Sequence, residues 1–288
     1  MRCPAPVIVD LGDRTLIFDT FLIPRAADEL RAAAEALTGR PVEWVINSHE
    51  HYDHVLGNQV FAPTADIYAT DRTRVLLAEY GPADLAEVTD NPQSHLHGLE
   101  TRLQEEQTER GRAFLERDLA EARAWVDALP DIDLRVPNVT FDERITLHGS
   151  QRSAELATYG GGHTESDAFL YLPQDRIAFL GDLLVVHAQP GFMTGDSEEW
   201  ARILGQIEEL DFDVAVPGHG PLGRKADCSL LREYICMVQR MTREVADRGG
   251  SVEEAASISL PPPFDQWDAP HAFRMNVEHL FGRIDTAH

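Results

Sequence analysis

Residues 49–54 read His-Glu-His-Tyr-Asp-His, four potential metal ligands within six residues, directly after the β-rich run Glu43–Ile46. Alternate residues of an extended segment point to one side. His49, His51 and Asp53 therefore converge, and His54 on the following turn faces a second position. Imidazole and carboxylate suit zinc, iron or manganese, and water completes an open catalytic site. A fold that accommodates this run must end a strand where the backbone turns around a charged centre.

Three more ligand-type residues lie in similar contexts. His163 falls in GGGHTESD between two β-rich runs, Asp182 ends the apolar run IAFLGD, and His219 follows another strand in PGHG. Glycine-rich turns at strand ends let the backbone approach a shared centre closely, and open α/β sheets place their sites beyond strand ends. The last two strands of this set are expected to stop at Asp182 and His219.

Around these points the pattern alternates between β and α. Val7–Val9 and Thr15–Phe18 form a hairpin over Gly12-Asp13; Ala26–Leu37, Arg72–Tyr80 and Ser197–Leu210 have helical spacing; Asp66–Ala69 is a strand. Proline and glycine punctuate 81–92. Residues 94–129 differ: Leu96, Leu99 and Leu103, then Leu115, Leu119, Ala122, Val126 and Leu129, keep helical spacing around a polar stretch. This is a helical insertion, either one bent helix or a pair. It can serve as a lid or a dimer contact, which leaves a homodimer open. Strands return from Asn138, and 227–288 is mainly helical.

In order, Asp19, the run 49–54, His163, Asp182 and His219 resemble the five motifs of the metallo-β-lactamase superfamily, over roughly residues 7–223. The resemblance implies an α/β fold, a four-layer αββα sandwich with a dinuclear metal site at one edge. It makes 1–288 a single such domain, with the helical insertion 94–129 and the helical C-terminal segment 227–288. It assigns His49, His51 and His163 to the first metal and Asp53, His54 and His219 to the second. Asp182 bridges both, and Asp19 supports the site from behind. The implied cofactors are two divalent ions, zinc foremost, with iron or manganese as alternatives. Such a pair lowers the pKa of a shared water and supplies hydroxide at neutral pH. Asp53 and Asp182 are then the catalytic carboxylates, Asp53 orienting the nucleophile or moving its proton.

Departures from the family pattern narrow the substrate. Asp182 stands where zinc β-lactamases carry Cys or Ser. Asp182 and His219 are too close in sequence for the extra domain of RNA-processing members, and His51 replaces the Glu of flavin-linked di-iron members. A hydrolase of small esters, thioesters or lactones remains, with a mononuclear-iron persulfide dioxygenase or a small-molecule phosphodiesterase as rivals. His187, Phe192 and Met193, in the loop after Asp182, are expected to line the substrate pocket.

Charge and cysteines set the remaining bounds. The 25 basic residues face 49 acidic ones, a net charge of −24. Nucleic-acid affinity comes from neutralising phosphates, so a small molecule rather than nucleic acid is the expected partner. Lys225 is the only lysine, which leaves little for a polybasic membrane patch. Cys3, Cys228 and Cys236 lack any C-x-x-C spacing and build no disulfide framework. The N-terminus lacks the apolar region of a signal peptide, and no run reaches membrane-span length; both point to the cytoplasm.

Overall fold

Period-two alternation in the strands decides the layering. In the β-strand Thr15–Phe18 (β2), Leu16 and Phe18 face one core while Ile17 faces another; in Ala168–Leu172 (β8), Ala168, Leu170 and Leu172 separate from Phe169 and Tyr171 in the same way. A strand apolar on both faces must be covered on both. The computed structural model describes residues 6–286, and Cys3 lies outside them.

The first sheet runs β1 (Val7–Asp10), β2, β3 (Trp44–Ile46), β4 (Asp66–Thr70) and β5 (Val139–Phe141). The β1–β2 pair is antiparallel and the other three pairings are parallel. Parallel neighbours need crossovers. These are α1 (Pro24–Thr38) before β3, then α2 (Tyr52–Val55) and α3 (Asn58–Phe61) before β4. Four helices precede β5: α4 (Asp71–Glu79), α5 (Gly81–Asp90), α6 (Pro92–Glu105) and α7 (Glu109–Ala128). The second sheet runs β6 (Arg144–His148), β7 (Ser153–Thr158), β8, β9 (Ile177–Val185) and β10 (Val214–His219), antiparallel up to β9 and parallel from β9 to β10. The crossover to β10 is α8 (Ser197–Ile207), and α9 (Lys225–Asp247), α10 (Val252–Ala256) and α11 (His271–Thr286) follow.

Leu16, Phe18, Ile46, Leu156, Leu170 and Phe179 fill the space between the sheets. Ile17, Val45 and Ile67 meet Ala27, Ala34 and Phe61 of α1 and α3 on one outer face. Phe169 and Leu180 meet Trp200 of α8 and Leu231, Tyr234 and Val238 of α9 on the other. The order helix, sheet, sheet, helix is the expected αββα sandwich.

The insertion is a helical pair. Leu96 and Leu99 of α6 pack on Leu119 and Ala122 of α7, so its apolar stripe is consumed within the chain. The hydroxyl of Thr108 caps α7 by accepting from the Gly111 N–H. Trp125 of α7 packs near Tyr52, ring centroids 6.2 Å apart, which ties the insertion to the metal-motif helix α2. Two expectations change. Residues 81–90 form a helix, because Pro82 occupies the first turn, where its missing N–H costs nothing. Strand β9 runs on to Val185 through Asp182, so that residue lies within a strand and does not terminate it. Cys228 is buried and Cys236 exposed, both as free thiols. Among the described residues no helix is long and apolar enough to cross a membrane.

Candidate metal centre

The centre lies where β3 ends, where the β7–β8 loop turns, and where β9 and β10 lie side by side. A hydrogen bond from the Ala168 N–H to the Ser48 carbonyl, 2.7 Å, joins the two sheets at this rim. Ligand-type atoms of His49, His51, His163 and Asp182 lie within 4.8 Å of one another, and those of Asp53, His54 and His219 form a second such group. All seven residues expected from the sequence are thus brought together, in two adjacent groups. Asp182 faces both: its Oδ2 is 3.3 Å from His163 Nε2, and its Oδ1 is 3.4 Å from the Nε2 atoms of His54 and His219.

Asp19 lies behind the cluster with φ 61, in the left-handed region that Asp tolerates better than most residues. Its carboxylate accepts from the Ser48 N–H (2.8 Å), the Ser48 hydroxyl (2.9 Å) and His54 Nδ1 (2.8 Å). The Ser48 hydroxyl, its proton spent on Asp19, accepts from His49 Nδ1 at 2.9 Å. Both imidazoles are thereby oriented with Nε2 aimed inward, the arrangement by which outer partners orient metal-binding histidines. Asp167 does the same for the His163 loop. Its buried carboxylate accepts from the N–H groups of Gly162 (2.8 Å) and Thr164 (3.1 Å) and from the Thr164 hydroxyl (2.9 Å).

The donor set fits metal ions. His49 Nε2, His54 Nε2 and Asp182 Oδ1 are buried without a hydrogen-bond partner, an arrangement that costs free energy unless something else satisfies it. His163 Nε2 and His51 Nδ1 point at each other across 3.1 Å. Electrostatics separates the two groups. Burial, and next the neighbouring His54, holds His49 well below the ordinary histidine range; burial lowers His51 and takes His163 down to about 3. These three rings are neutral at pH 7. Burial opposes charge on His54 and His219 also, but Asp53 and Asp182 outweigh it, raising His54 well above its usual range and His219 to about 10.

Gly218 permits the approach of Asp182. A Cβ there would lie 1.9 Å from Asp182 Oδ1 and 2.8 Å from the Gly181 carbonyl carbon. The register of β10 against β9 shifts at this point, with Pro217 opposite Gly181. Gly218→Ala is expected to push the carboxylate out of place and cost about 1–3 kcal/mol of stability, the usual range for overpacking. Gly205→Ala on the open face of α8 is the control, since no atom lies within 4 Å of its added Cβ. Equal melting temperatures and equal metal content for the two variants would contradict this role.

A cavity of about 180 Å³ opens onto His163, Asp182 and His219. Its walls are Val185, Val186, Pro190 and Met193 from the loop side, Arg102, Phe114 and Asp118 from α6 and α7, and Asp268, His271 and Met275 around α11. Met193 lines it as expected. His187 and Phe192 do not. His187 is exposed, on a left-handed backbone (φ 59), and lines no part of the cavity. Phe192 is 1% exposed and packs behind the loop against Trp200 and Tyr234, at centroid distances of 6.1 and 6.3 Å. Glu50 faces a second depression beside His51, Tyr52 and Tyr80, and burial pushes its carboxyl up to about 7.

The sequence model described as "Metallo-beta-lactamase superfamily" matches residues 6–219. The chain belongs to this superfamily. Solved metallo-beta-lactamases from Pontibacter korlensis and Hirschia baltica share the superfamily fold, with TM-scores of 0.58 and 0.57. They are 19% and 16% identical to this chain, covering 80% and 81% of it and 87% and 85% of their own chains. The chain is also 25% identical, over 216 residues, to the 2,4-dinitroanisole O-demethylase subunit alpha of Nocardioides sp. (strain JS1661). That match takes in 72% of this chain and 50% of the subunit, so the chain spans about half the length of this relative.

Proposed function

We propose that this chain is a hydrolase that holds two divalent ions, zinc foremost, and cleaves a small ester, thioester or lactone-like substrate. The observation that carries the reading is the pair of ligand groups sharing Asp182 at the floor of a mostly apolar cavity. His49, His51 and His163 would hold one ion and Asp53, His54 and His219 the other, with Asp182 between them. Ions bound there would lower the pKa of a bound water and polarise the oxygen of the bond under attack. The protein's own groups do the rest. Asp53, with a side chain 24% exposed and Oδ2 3.2 Å from His219 Nε2, would take the proton of the attacking water and return it to the leaving group. The apolar walls hold the body of the substrate and exclude water. The charge of −24 supports a small molecule over nucleic acid or an anionic membrane surface as partner.

Metal analysis after metal-replete purification, with a panel of esters, thioesters, lactones and phosphodiesters, tests the reading. Two ions per chain and turnover of an acyl substrate support it. One iron with oxygen uptake on a persulfide and no hydrolysis would replace it with the dioxygenase reading, and turnover of phosphodiesters alone with the third. The panel includes 2,4-dinitroanisole, because the relative's name extends the electrophile to an electron-poor aryl ether.

Asp19→Asn tests the support behind the site. Asn tolerates the same left-handed backbone but lacks the charge and one acceptor for His54 and Ser48. Metal affinity should fall about 10–100-fold, as when an outer partner of a ligand is lost, with the fold retained. An unchanged affinity in competition with a chelator would remove Asp19 from the site.

A further inference from the structure

The cavity above the metal centre is walled in part by segments remote in sequence from the five motifs. Phe114 of α7 meets His271 of α11, ring centroids 5.6 Å apart, so the insertion and the C-terminal segment join over the site. A space of about 180 Å³ is close to the dry 150 Å³ cavity that accepts benzene in another protein. It therefore takes one ring or a short aliphatic chain. Val185, Val186, Ala188, Pro190, Met193 and Met275 suit such a body.

The polar groups of the roof are few. Arg110 and Arg117 engage Asp268 at 3.4 and 4.0 Å, and Arg123 engages Glu100 at 2.9 Å. Arg102 lines the cavity, and among the described residues its guanidinium has neither an ion pair nor a hydrogen bond. A cation left unengaged in a chain with 49 acidic residues, at the wall of the reaction cavity, suits an anion brought by the substrate. Asp118 and Asp268 line the same wall, and Asp268 is already engaged by the two arginines. His271 beside them is held below the ordinary histidine range by burial, then by Arg102, and offers a neutral hydrogen-bonding group.

We infer that the substrate is a small acyl compound whose end remote from the scissile bond carries one carboxylate, and that Arg102 holds it. The inference rests on the hydrolase reading for the position of the scissile bond.

Metal-loaded protein is assayed with monomethyl succinate, glutarate and adipate against methyl butyrate, pentanoate and hexanoate. These pairs share the ester and chain length and differ in the terminal carboxylate. At least one half-ester should exceed its neutral partner in kcat/KM by about tenfold or more, as expected for one charge-assisted hydrogen bond. Arg102→Gln, an exposed change that leaves the metal ligands untouched, should erase that preference, so that within the variant each half-ester falls to the kcat/KM of its neutral partner. Calorimetry gives a readout independent of turnover: the matching diacid should bind about tenfold more weakly to Arg102→Gln, while the monoacid binds equally to both proteins. Diacid binding that depends on Arg102, without turnover of any ester, would overturn the hydrolase reading and keep the anion site. Turnover of both series with no half-ester preferred, or a preference that survives Arg102→Gln, would overturn this inference and keep the hydrolase.

Discussion

If the protein holds the two ions proposed above, Asp182→Ala is expected to leave one bound ion per chain and to lower kcat/KM by more than about a hundredfold. That exceeds the 10–100-fold typical of losing a group that only orients a ligand, because Asp182 lies between both groups itself. Its Oδ2 is 3.3 Å from His163 Nε2, and its Oδ1 is 3.4 Å from His54 and His219. The three histidines of the first group remain neutral and in place, so that ion should persist. The second group keeps Asp53, His54 and His219 but loses the carboxylate that closes it. The buried His54 and His219 also lose a negative partner, so their pKa values should fall toward the ordinary histidine range, which NMR titration of metal-free protein can follow. The apolar cores lie away from this carboxylate, and the fold should survive by circular dichroism. Two ions per chain with turnover near that of the parent would rule out the bridging role.

The ligand set was legible because each member announces itself locally. His49 to His54 follow closely on the end of β3 and run into α2, and His163 and His219 stand beside glycines after β-rich runs. The layers were legible from the two-residue period of the strands. The end of β9 was not: the apolar run IAFLGDLLVV continues past Asp182, and only the register shift against β10 shows how a carboxylate fits in mid-strand. Ser48 and Asp167 were missed although signals existed, a hydroxyl beside the first histidine and a Thr-x-x-Asp turn after His163 whose carboxylate gathers the loop's donors. Arg102, Phe114, His271 and Met275 left no such trace. They reach the cavity from helices far along the chain, and helical spacing says which residues share a face without saying what that face meets.

Phe192 shows the same limit, and its replacement should have the largest effect on stability. In a loop without a period, nothing in the sequence distinguishes an inward side chain from its outward neighbour: Met193 is 45% exposed and Phe192 1%. The structure fixes the choice from α11. Asn276 Oδ1 accepts from the Phe192 N–H at 2.9 Å, and its Nδ2 donates to the Pro190 carbonyl at 2.8 Å, both buried. The loop is gripped so that the Phe192 ring enters the aromatic group of Trp200 and Tyr234. Phe192→Ala removes a fully buried ring from close packing and should cost about 3–5 kcal/mol, transfer and cavity terms together. For a domain of this size that is on the order of 10 °C in melting temperature. Because the ring lies behind the cavity wall, the ranking of acyl substrates should change little below the transition, whereas Met193→Ala should alter it with little loss of stability. A stable Phe192→Ala variant with a new substrate ranking would place that ring in the cavity after all, and the grip of Asn276 on the loop would then have to open in solution.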